Sequence, residues 1–122
     1  MALRPELAGM RVKGVNDPPI YLIDNDGTRR WVTDPTTFNS LFRNWNGIEE
    51  FADINAIDRG PDIHGAILAK DPNLAPVFLI DNGHKRWITS PQVMDKFNFS
   101  WDTIWKIPDV ALRAIPNGPD IR

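Results

Sequence analysis

The chain has 122 residues, the length of one domain with a single modest core. Hydrophobic residues make up 42% and charged residues 25%, close to globular averages, which argues against a disordered chain. A net charge of −2 argues against nonspecific nucleic-acid binding, and the lack of cysteine excludes disulfides, thiolate metal sites and a cysteine nucleophile.

Taken in chain order, residues 1–10 hold no long apolar stretch, so no secretory signal is expected there. No apolar run approaches the roughly 18 residues of a membrane span. An extended stretch is predicted at 10–14, followed by a proline turn. Two strands come next, 20–24 and 28–32, joined through Asn25 to Gly27. A helix starts at Asp34-Pro35, where an acceptor side chain precedes a proline in the first helical position. Phe38, Leu41 and Phe42 share one face of that helix. A bend at 45–48 carries Trp45, a short helical turn spans 53–57, and Gly60-Pro61 closes the segment.

The same series then repeats. The extended stretch recurs at 66–70, and the strands at 77–81 and 84–88. The turn Asn82-Gly83 between them is a strong hairpin signal because both residues tolerate positive φ. Ser90-Pro91 opens the helix, with Val93, Met94 and Phe97 on its apolar face. The bend falls at 101–104, the helical turn at 109–115 and the closing Gly118-Pro119 follows. IYLIDN at 20–25 aligns with VFLIDN at 77–82, and Arg30, Trp31, Thr33 and Pro35 align with Arg86, Trp87, Thr89 and Pro91. Trp45 aligns with Trp101, and GPDI at 60–63 with GPDI at 118–121. The chain is thus expected to be two tandem units, 1–64 and 65–122, packed as one domain. The expected fold class is α+β, each unit a small antiparallel hairpin or sheet with one or two short helices. A unit of this size is marginal alone, so the two are expected to share a core about a pseudo-twofold axis.

The pattern carried by Tyr21–Asp24, Gly27, Arg29–Val32 and Pro35, and by Phe78–Asp81, Gly83, Lys85–Ile88 and Pro91, resembles a repeat of bacterial secreted and envelope proteins. That repeat often stands beside hydrolase domains. The resemblance implies a secreted or cell-surface setting and assigns no catalytic or ligand residue.

The basic-aromatic strand admits two readings. Arg29, Arg30 and Trp31, with Lys85, Arg86 and Trp87, form a ligand surface if the indoles are platforms and the cations are donor forks. They are packing residues if the indoles are core and the cations keep a strand edge soluble. Asn25 and Asn82 at the turns are secondary ligand candidates, and Trp105 is a third because Glu49 replaces it in the first unit. Trp45 and Trp101 are expected to anchor the bends from within the core. Asp24-Asn25-Asp26-Gly27 begins like a calcium loop, but Pro35 stands where such a loop needs Glu, so a plain turn is expected. His64 and His84 occupy unrelated places in the repeat, so no zinc site is expected. Repeated acids such as Asp53 and Asp109 read as helix-start residues rather than a glycosidase pair.

The expectation is a non-enzymatic binding module without cofactor or metal. Its two similar sites would take bacterial cell-surface glycan or another polyhydroxylated or anionic polymer. The alternative is a structural protein that forms homo-oligomers or docks a protein partner.

Overall fold

The pleat of the repeated strands sends alternate side chains to an inner face, and the computed structural model, which describes residues 2–122, gathers them into two similar sheets. In the first unit, β1 (Arg11–Gly14), β2 (Ile20–Ile23) and β3 (Arg29–Val32) form an antiparallel meander. A fourth strand, β4 (Glu49–Phe51), lies parallel to β1 at the edge. The second unit repeats this order with β5 (Ile67–Lys70), β6 (Val77–Asp81), β7 (His84–Ile88) and parallel β8 (Trp105–Lys106). The sheets are therefore mixed. β4 and β8 had no sequence signal, because each is only two or three residues long and pairs with a strand more than a helix away.

Helix α1 (Pro35–Leu41) follows β3, α2 (Pro91–Lys96) follows β7, and α3 (Asp109–Leu112) follows β8. The cap signals act as expected. Asp34 accepts from the Thr37 amide at 2.7 Å, and Ser90 accepts from the Val93 amide at 3.3 Å. The Gly-Pro-Asp-Ile tails lie parallel along the outer edges of β3 and β7. The Ile63 amide donates to the Trp31 carbonyl at 2.7 Å, and the Ile121 amide to the Trp87 carbonyl at 2.8 Å. This pairing closes strand edges that would otherwise be open to another chain.

One core serves both units. Leu22, Phe38, Leu41 and Phe42 of the first pack in the same cluster as Leu79, Met94, Phe97 and Phe99 of the second. Phe42 and Phe99 bridge the units in antiparallel register, their rings 5.9 Å apart.

The units differ on their outer faces. Residues 2–10 fold back over the first sheet, where Leu7 and Met10 pack on a second cluster of Val12, Tyr21, Ile23, Ile54 and Ile57. The Arg4 amide donates to the Gly27 carbonyl at 2.9 Å. Gly27 has φ +84°, and a Cβ there would sit 2.5 Å from the Arg4 nitrogen. Its counterpart Gly83 has φ +74° with nothing within 4 Å of a Cβ. We therefore expect Gly83→Ala to cost about 1–2 kcal/mol of left-handed strain. Gly27→Ala should cost roughly 3 kcal/mol or more, because it also lifts the N-terminal arm. Urea unfolding of the two variants measures the difference; equal losses would mean that the arm contributes nothing.

Candidate functional site

Strand alternation sends Arg30 and Val32 to the side of the shared core, and Arg29 and Trp31 to the opposite face. The cations of the basic-aromatic strand are all buried: Arg30 is 4% exposed and Arg86 is 8% exposed. Arg30 donates from Nη1 to Asp24 at 3.1 Å and from Nε to the Pro61 carbonyl at 2.9 Å, and its Nη2 pairs with Asp81 at 2.6 Å. Arg86 grips Asp24 with both terminal nitrogens, at 2.7 and 2.9 Å, and donates from Nε to the Pro119 carbonyl at 2.8 Å. Arg29 donates to the Ile57 carbonyl and lies over the Tyr21 ring. Lys85 donates to the Ile115 carbonyl and lies over Phe78.

Arg29, Arg30, Lys85 and Arg86 thus correct the ligand-surface expectation for the charged half of the strand. They tie each tail to its sheet, and Arg30 and Arg86 also tie one unit to the other. Burial of such cations is tolerable only because carboxylates and carbonyls meet them.

The quartet of Asp24, Arg30, Asp81 and Arg86 is not symmetric. Burial by itself raises the Asp24 pKa, but the hydrogen bonds and charge of Arg86, the Asn25 amide and the charge of Arg30 outweigh it, so Asp24 titrates below its ordinary 3.8. The Asn25 amide reaches Asp24 Oδ1 at 2.7 Å because the first turn has the extra residue Asp26. In the tighter second turn Asn82 adopts φ +52°, and Asp81 Oδ1 is buried without a partner. Beside the quartet, both units line a cleft of about 880 Å³, with His84, Asp120 and Arg122 also along it.

The secondary candidates have assigned places. Asn25 clasps the chain end, donating to the Arg122 carbonyl at 2.8 Å and accepting from its amide at 2.9 Å. Asn82 is exposed. Asp26 Oδ1 accepts from the Thr28 amide and hydroxyl, which makes the first turn a side-chain-stabilised turn. Among the described residues no group of three or more His, Asp or Glu side chains is arranged to hold a metal ion. None of their helices is long and apolar enough to cross a membrane.

The tryptophans reverse the expectation in the other direction. Trp45 and Trp101, expected inside, are 47% and 49% exposed, and Trp87 is 42% exposed. Trp31 is half-buried. Trp45 lies flat on Phe38, with centroids 3.9 Å apart, and its indole N–H donates to Asn39. Arg11 donates to the Asn44 and Asn46 carbonyls and so fixes the bend that presents Trp45.

In each unit the two tryptophans flank a shallow cleft. The first, of about 290 Å³, is lined by Pro18, Pro19, Ile20, Trp31, Val32, Thr33, Asp34, Pro35, Phe38 and Trp45. The second, of about 220 Å³, is lined by Ala75, Pro76, Val77, Trp87, Ile88, Thr89, Ser90, Pro91, Met94 and Trp101. These are the same ten positions of the repeat. The available signal was the doubled, aligned second tryptophan in a unit whose helix already supplies its core aromatics. Trp105 lies outside both clefts and is 59% exposed on β8. No family model, curated protein or solved structure matches this chain.

Proposed function

We propose that this protein is a non-enzymatic binding module that takes a hydroxyl-rich glycan, of the kind found on bacterial cell surfaces, in two equivalent clefts. The observation that carries the reading is the recurrence of one cleft at ten matching repeat positions, each time with exposed indole surface. An exposed tryptophan gives a flat apolar platform on which a sugar ring stacks. Since Arg30 and Arg86 are engaged inside the protein, recognition rests on stacking rather than on pairing with anions. Two sites on one chain raise avidity for a polymer that reaches both.

Titration of tryptophan fluorescence with neutral gluco- and chito-oligosaccharides tests this. Saturation with two sites per chain is expected, with little change between low and high salt. Trp45→Ala and Trp101→Ala should each weaken one of the two sites by about tenfold or more. No response across the sugars, or a response unchanged in both variants, sinks the reading.

The assembly alternative has its own support in the outer face of the second unit. Trp87, Trp105 and Val110 (72% exposed) lie there, and no counterpart of the N-terminal arm covers it. Light scattering that shows a stable dimer, dissociated by Trp105→Glu, would favour that reading.

A further inference from the structure

The two clefts match position for position, yet they differ at one place that bears directly on charge. Asp34 in the first stands where Ser90 does in the second. Among the described residues Asp34 is the only charged side chain lining either cleft. Helix capping does not require that charge, since Ser90 caps the equivalent helix with a neutral oxygen. Asp34 titrates below its ordinary 3.8, held there by the Thr37 amide and hydroxyl and by the Thr33 hydroxyl, so it carries a full charge at neutral pH. Trp31 and Trp45 line the same cleft, and Trp45 is backed by the buried Phe38 ring. The cation that touches this aromatic set, Arg11, is buried against Phe38 and Phe42 with its N–H groups on the bend carbonyls.

We infer that the cleft of the first unit takes a quaternary ammonium head group of the choline type, while the cleft of the second unit takes only uncharged ligands. The inference rests on the reading of the paired-tryptophan clefts as binding sites. Aromatic faces attract a cation through the ring quadrupole, and they favour an alkylated ammonium because its methyl groups also prefer apolar walls. Asp34 supplies the counter-charge from the rim, with the Thr33 hydroxyl and His64 Nδ1 beside it, 3.2 Å each from Asp34 Oδ2.

The test is a fluorescence titration of the full chain with choline and with its uncharged isostere 3,3-dimethylbutanol. Choline should saturate one site per chain and bind about tenfold tighter than the isostere. Asp34→Asn, which keeps a good capping residue, should abolish that preference. Trp45→Ala should abolish choline binding and Trp101→Ala should leave it intact. Equal binding of choline and the isostere, two choline sites, or indifference to Asp34→Asn would overturn the inference. A trimethyl-lysine peptide that binds tighter than choline would overturn the choline-type assignment. Sugar binding at both clefts without choline preference removes this inference alone. Asp34-dependent choline binding without sugar binding removes the glycan reading alone.

Discussion

Asp24→Ala is expected to lower stability by about 3–5 kcal/mol, enough to reduce Tm by about 10–20 °C. The reason is the arrangement at the seam. Asp24 accepts both terminal nitrogens of Arg86 and one of Arg30, and removing it leaves two buried cations with only Asp81 between them. A buried pair contributes little against an apolar replacement, but one broken by removal of a single partner is costly because the other charge stays behind. Asp81→Ala should cost clearly less, since Asp81 receives only Arg30 and already has one unpartnered oxygen. Thermal melts of the two variants by circular dichroism check the order. Equal losses would mean that the quartet acts as a symmetric unit.

The sign of the pH effect follows from the same group. Asp24 has a lower pKa folded than unfolded, so its contribution is fully present above the unfolded value near 3.8 and is lost as pH falls toward the folded value. Acid titration of stability should therefore be shallower in Asp24→Asn than in the parent chain.

Phe99→Ala should cost about 3–5 kcal/mol and should loosen both units at once. Phe99 is fully buried, stacks on Phe97 at 5.4 Å and on Phe42 of the other unit at 5.9 Å, and lies at the backbone bridge between units. Against a total stability of about 5–15 kcal/mol, that loss leaves a marginal fold. The shared core predicts a single cooperative transition. Hydrogen exchange should show amides of β2 and β6 losing protection together. Retained protection in β2 with loss in β6 would show that the units fold independently.

The repeat, the hairpin turns, the capped helix starts and the α+β class were legible in the sequence because each is a local pattern. A proline after Asp34 or Ser90, a glycine after Asn82 and the apolar run IYLI act over a few residues and have few alternative outcomes. The parallel edge strands were not legible, because β4 and β8 gain strand character only by pairing with β1 and β5. The exchange of inside and outside on the basic-aromatic strand was a tertiary decision as well. Sequence propensity puts tryptophan in and arginine out. That order inverts here because the second unit brings Asp81 to Arg30, the first brings Asp24 to Arg86, and each tail brings a carbonyl to its own unit's arginine. Trp45 and Trp101 stand at the surface on their bends, the first bend held by Arg11. Charge burial depends on partners far away in sequence, so only the packed pair of units could show which residues remain for a ligand.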